Sequence, residues 1–198
     1  ALLPAVRRAV GDGVKLLADG NSCYSPKRAI EVGRLMEAQG YVHFEEPCPY
    51  WELDWTREVR EALNLDVAGG EQDWDMKHWE KMISAPCVDI VQPDIGYIGG
   101  LSRALEVARM AQAANLPCVP HSANLSWITV FTLHMMAAIP NAGPYVESSI
   151  EPTSWAHFYE PMLKVENGRL KIPSGPGWGV EPDPLWLKKA ERAESKAR

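Results

Sequence analysis

The chain has 198 residues, 46% of them hydrophobic and 23% charged, with a formal net charge of −6. This is an ordinary globular composition with room for a sizeable core, and an acidic balance with no basic patch argues against nucleic-acid or anionic-membrane partners. No apolar run reaches the roughly 18 residues of a membrane span, and no signal-peptide pattern opens the chain. Cys23, Cys48, Cys87 and Cys118 lie far apart with no CxxC pair, a pattern that fits reduced thiols of a cytoplasmic protein better than a disulfide framework.

Leu2, Leu3, Val6 and Val10 make an i, i+3/i+4 stripe beside Arg7 and Arg8, so the chain opens in a helix with no cap before it. Gly11-Asp12-Gly13 is a turn, and residues 14–18 form a strand that delivers Asp19. Ser25-Pro26 reads as an N-cap followed by proline in the first turn, and Gly40 ends the helix lined by Ala29, Val32 and Met36. The pattern then repeats, with a strand at 41–45, a long aromatic loop, a helix near 54–63 and a strand at 66–71. Residues 73–84 are helical, 88–92 extended, and Gly99-Gly100 opens a helix striped by Leu101, Ala104, Leu105 and Ala108. A short strand at 117–120 precedes His121, 125–138 is an apolar helix, and a strand at 145–146 precedes Glu147. Beyond it lies a Gly/Pro-rich tail around Gly175 to Gly179, with a short helix after Pro184.

Strands alternating with helices predict βαβ units and a parallel sheet. Asp19, Glu45, Glu71, Asp94, His121 and Glu147 each close a strand, at intervals of 23 to 27 residues. An open doubly wound sheet gathers function at one switch point, whereas a (β/α)₈ barrel converges groups from every strand, so six polar strand ends favour an α/β TIM-type barrel. Only six strands are visible. Residues 1–160 are therefore expected to form a partial barrel, and 161–198 to pack back on it or on a capping domain.

Neighbouring strands lie roughly 4.8 Å apart, so Asp19, Glu45 and Glu71 would put three hard oxygen donors on one rim. That donor set suits Mg²⁺; the alternative is that each acid is a helix cap or a loop residue. Strand alternation turns Glu46 away from Glu45, leaving it a supporting acid. Asp94 beside His121 is the arrangement of a general base or acid, although a buried structural histidine is the alternative. Glu147, if protonated by burial among acids, could donate from the far rim. Asn21 shares the face of Asp19 and could touch substrate or a metal-bound water, and Gln92 could support the site or merely close a strand. His43 shares the parity of Glu45 and faces inward, yet is given a structural role, as are His78, His134 and His157. Trp51, Trp55 and Trp74 belong to rim loops or to the core, and Gly99-Gly100 lacks the frame of a phosphate cradle.

Asp19-Gly-Asn21, Phe44-Glu45-Glu46-Pro47, Gly69-Gly-Glu71-Gln72, Gln92-Pro93-Asp94, Gly99-Gly100 and Pro120-His121 together resemble the enolase superfamily in its mandelate racemase branch. The resemblance implies an enolase-like C-terminal barrel domain, here strands three to eight, with the N-terminal capping domain and a lysine pair on the second strand lying upstream. It implies Asp19, Glu45 and Glu71 as Mg²⁺ ligands and His121–Asp94 as the dyad that moves the proton α to a substrate carboxylate. The expected reaction is dehydration of a sugar acid in a homo-oligomeric protein, with racemisation or epimerisation of a 2-hydroxy acid as the alternative. A non-catalytic metal-binding fragment is the reading from a different class.

Overall fold

Four short parallel strands carry the first half of the chain in the computed structural model, which describes residues 2–122, 126–149, 158–191 and 193–194. They are β1 (Leu16–Asp19), β2 (Tyr41–Glu45), β3 (Asp66–Gly69) and β4 (Ile90–Val91), hydrogen-bonded in the order β1-β2-β3-β4. The helices are α1 (Leu2–Val10), α2 (Pro26–Glu37), α3 (Leu53–Ala62), α4 (Met76–Ser84), α5 (Leu101–Ala113) and α6 (Trp127–Ala138). Two isolated parallel bridges extend the sheet past β4, from Val91 to Cys118 and from Cys118 to Ala142.

The predicted strand at 117–120 thus shrinks to Cys118, bridged on both sides, because Pro117 and Pro120 have no N–H to give. What pairing remains runs through Val91 N–H to Pro117 O and Val119 N–H to Val91 O. The strand expected at 145–146 does not form; the bridge falls at Ala142, where a β-carbon on Gly143 would lie 2.2 Å from Val119 Cγ2. Glycine there leaves room for the Val119 side chain. The expected helix at 73–84 begins only at Met76, since Asp73 sits in a turn closed on Gly70 O and Asp75 caps the helix by accepting from Lys77 N–H. Ser25 does precede α2, with Pro26 in the first turn, but caps through its extended backbone and not through its hydroxyl.

Alternation along β2 divides the sheet's two faces. Phe44 is buried toward the helices, in a core shared with Met36, Val59, Val67, Trp79 and Val107, whereas His43 and Glu45 point the other way. On β1 the corresponding inward residue, Leu17, remains 46% exposed.

The last stretch forms two small antiparallel pairs, β5 (Tyr159–Glu160) with β8 (Glu181–Pro182) and β6 (Val165–Glu166) with β7 (Arg169–Leu170), followed by α7 (Pro184–Leu187). It packs on α6: Tyr159, Leu163 and Val180 join Val130 and Leu133 in a second core, and Trp178 lies 4.7 Å from Phe131, centroid to centroid. His157 lies outside the described residues. Among those described, no helix is long and apolar enough to cross a membrane.

Candidate active site

Parallel pairing decides which side chains meet. Asp19 lies opposite Glu45 in the β1–β2 register, and Glu45 opposite Ala68 in the next. Glu71 follows in the loop after β3, Gln92 and Asp94 in the loop after β4, and His121 after the Cys118 bridge. These ends border a cavity of about 330 Å³ lined by Asp19, His43, Glu45, Gln92, His121 and Glu147.

The centre of charge is His121. Its Nδ1 is 2.8 Å from Asp94 Oδ2, and its Nε2 is 3.3 Å from Glu71 Oε2 and 3.7 Å from Glu147 Oε2. Burial disfavours the imidazolium, but the bond to Asp94 and the charges of Glu71 and Glu147 push its pKa up to about 9. The other oxygen of Asp94 accepts from Gly96 N–H at 2.6 Å and Tyr97 N–H at 2.9 Å, so the carboxylate is held by the loop that follows it. Of the residues expected at the site, Asp94, His121, Glu71 and Glu147 are brought together.

Burial and the neighbouring charges of Glu46, Glu45 and Asp19 push Glu71 up to about 7, against the pull of His121. Glu147 is less buried than its sequence context predicts, with a side chain 49% exposed. Partial burial and the charges of Glu45 and Asp19 still raise it, opposed by His121 and by Ser122 N–H at 3.4 Å. Glu45 goes the other way: burial raises it, but the His43 and Gln92 side chains beside it outweigh that and leave it lowered.

Whether these acids fit a cation can be read from their partners. Asp19 takes Asn21 N–H at 2.6 Å on one oxygen and Asn21 Nδ2 at 2.9 Å on the other, so Asn21 serves Asp19 directly. Positive φ values at Asn21 and Ser22, 48° and 59°, make that return possible. Glu45 leans on His43 Nε2 at 3.4 Å, and Glu71 on His121. Each carboxylate is thus turned onto a donor of its own, and no three His, Cys, Asp or Glu side chains among the described residues close around a single point. The chemistry of the set nevertheless fits a hard divalent cation. Three acids share one rim, their mutual repulsion lifts Glu71, and the buried Oε1 of Gln92 has no hydrogen-bond partner.

Glu46 departs from simple alternation. Its φ of 36° breaks the strand geometry, and its carboxylate accepts from Ser22 Oγ at 3.0 Å and Gln72 Nε2 at 2.9 Å beneath the acids. Burial, then its neighbours Asp19 and Glu45, raise its pKa despite those two bonds. Its backbone oxygen lies 2.9 Å from where a β-carbon on Gly20 would stand, so the loop after β1 closes over β2 only with glycine there. His43 is closer to the site than a purely structural role implies, and its parity with Glu45 was the signal. Ser22 and Tyr97 carried no signal in the sequence, and Gln72 stood only as the last residue of the Gly69-Gly-Glu71-Gln72 motif.

Among curated relatives, an arabinonate dehydratase of Saccharolobus solfataricus is 30% identical over 89% of this chain and 47% of its own length. A D-galactarolactone cycloisomerase of Agrobacterium fabrum is 34% identical over 91% of this chain and 50% of its own. A solved protein of Roseobacter denitrificans, to which a racemase activity is ascribed, is 50% identical and superposes with a TM-score of 0.93 over 96% of this chain and 53% of that one. The L-talarate/galactarate dehydratase of Salmonella typhimurium, solved with Mg and L-lyxarohydroxamate, is 28% identical with a TM-score of 0.80, over 94% of this chain and 45% of that one. The chain spans about half the length of the curated relatives it matches. Residues 1–186 match the family described as Enolase C-terminal domain-like, and the chain belongs to that family.

Proposed function

We propose that the protein containing this chain abstracts the proton α to a substrate carboxylate, with Mg²⁺ as cofactor, and that the net reaction is dehydration of a sugar acid. The observation that carries this reading is His121, tied to Asp94 through Nδ1 while Nε2 faces the carboxylate-lined cavity. Asp19, Glu45 and Glu71 would hold the ion, which when bound supplies positive charge beside the carboxylate of the substrate. In its neutral form His121 accepts the α-proton on Nε2. Asp94 fixes the tautomer and stabilises the resulting imidazolium. The imidazolium then returns the proton to the hydroxide leaving the neighbouring carbon, which departs as water. Glu147, with a raised pKa, donates from beside His121 to the oxygen on which negative charge develops. Gln92 and Glu46 hold Glu45 and the loops beneath it, and Asn21 holds Asp19.

Dehydratases among the relatives favour elimination. The 50% identity to the Roseobacter protein favours racemisation as the second reading. Both are tested on the full-length protein by incubating galactarate and arabinonate with Mg²⁺ in D₂O and following the products by NMR. A keto acid marks dehydration, and α-deuterated acid of inverted configuration marks racemisation. Undiminished turnover in His121→Asn would sink the assignment. Mg²⁺ binding by calorimetry without exchange of any acid would support a metal-binding module instead. The same reading takes residues 1–160 as part of a barrel that upstream residues of a longer protein complete.

A further inference from the structure

The loop after β4 is pinned on nearly every side. Ile95 and Ile98 are buried in the core, Ile98 N–H bonds Asp94 O at 3.0 Å, and Gly96 and Tyr97 both donate to Asp94 Oδ1. The Tyr97 side chain is thrown outward and is 60% exposed. Its ring does not wander into solvent: it lies nearly parallel to the His121 imidazole, 22° between planes and 6.4 Å between centroids. That is within the range of an offset aromatic stack. One carboxylate, Asp94, therefore fixes both members of the stack, the imidazole through Oδ2 and the tyrosine backbone through Oδ1.

We propose that Tyr97 is a positioning residue for His121: its ring lies alongside the imidazole, nearly parallel to it, and limits the tilt of the imidazole plane, so that Nε2 stays presented toward Glu71, Glu147 and the cavity. This rests on the role assigned to His121 above. The contacts to Asp94, Glu71 and Glu147 are made at the ring nitrogens, in the plane of the imidazole, and restrain the tilt of that plane least. A flat neighbour alongside limits that tilt, which matters because displacing a reacting group by about 1 Å can cost on the order of 100-fold in rate.

The test uses the full-length protein as wild type, Tyr97→Phe, Tyr97→Ala and His121→Asn. The first arm needs no turnover: histidine labelled with ¹³C at Cε1 is observed by NMR, the His121 signal being the one missing in His121→Asn. The Tyr97→Phe variant should leave that signal in place, since the ring remains, whereas Tyr97→Ala should shift and broaden it. The second arm measures Mg²⁺-dependent α-deuterium exchange into galactarate. Tyr97→Ala should lower kcat by roughly tenfold or more with KM changed less than about twofold, and Tyr97→Phe should restore it. An unmoved His121 signal in Tyr97→Ala overturns the inference whatever the activity. Exchange abolished by His121→Asn but unaffected by Tyr97→Ala overturns it too and leaves the role of His121 intact. Exchange retained in His121→Asn removes that role instead, and the NMR arm alone then decides whether Tyr97 orients the ring.

Discussion

At the scale of single residues, the site is a competition among acids for too few positive groups. Glu71 sits highest because burial and three neighbouring carboxylates act together on it, and Glu45 sits low because His43 and Gln92 answer its charge. Replacing Glu71 with Gln should therefore relieve repulsion in the metal-free protein yet remove a donor. Calorimetry should show Mg²⁺ affinity falling by at least the roughly 10- to 100-fold that substitutions around metal ligands cost. The dyad makes a second prediction. In Asp94→Asn the amide oxygen can still accept from Gly96 and Tyr97 N–H, leaving its NH₂ to face His121 Nδ1. That reverses the tautomer, so kcat should drop by roughly 10²- to 10⁴-fold while the thermal midpoint stays near that of the wild type.

At the scale of elements, helices hold the loops that carry these groups. Trp79 of α4 is fully buried, donates from Nε1 to Asp73 O at 3.3 Å, and packs against Gly70, one residue before Glu71. Gly70 has a φ of 112°, and a β-carbon there would lie 2.2 Å from the Trp79 ring. Gly70→Ala should cost about 1–3 kcal/mol in urea unfolding from strain and overpacking combined, and should weaken Mg²⁺ binding by moving Glu71. At the opposite end of the sheet, Glu37 closes α2 and accepts from the backbone N–H and side chain of Asn64, just before β3, and from Arg34. Burial raises its pKa, but those bonds outweigh it and leave the carboxyl below its usual 4.5. The folded state thus favours the charged form. Its contribution is complete above pH 4.5 and disappears as pH falls through the lower folded value. Thermal melts from about pH 3 to 7 should show Glu37→Gln less stable than wild type near neutrality, with the gap closing in acid.

At the scale of the whole molecule, β1 is the outer strand of the sheet and its inward residue Leu17 is half exposed, as is Val14 just before it. An uncovered parallel edge beside apolar surface pairs with whatever is available. The 198-residue chain alone should give a mass that rises with concentration in light scattering, and Leu17→Lys should reduce that association. A strictly monomeric wild-type chain would contradict this. The pairing of α6 with the C-terminal segment through Phe131 and Trp178 gives the other end of the molecule its own cover.

The sequence alone determined the βαβ order, the parallel sheet and the polar residues Asp19, Glu45, Glu71 and Asp94 at or just past the ends of its four strands, because hydrophobic periodicity and glycine or proline punctuation are local and survive without neighbours. It also placed Asp94 beside His121, since adjacent parallel strands bring their C-terminal ends together whatever the loops do. Only the tertiary structure decided that isolated bridges through Cys118 and Ala142 replace the last two expected strands, that Asn21 serves Asp19, that Glu46 turns beneath the acids on a positive φ, and that Tyr97 lies alongside His121. Each of these depends on residues distant in the chain competing for one donor or one volume, and periodicity along the sequence holds no record of which partner wins.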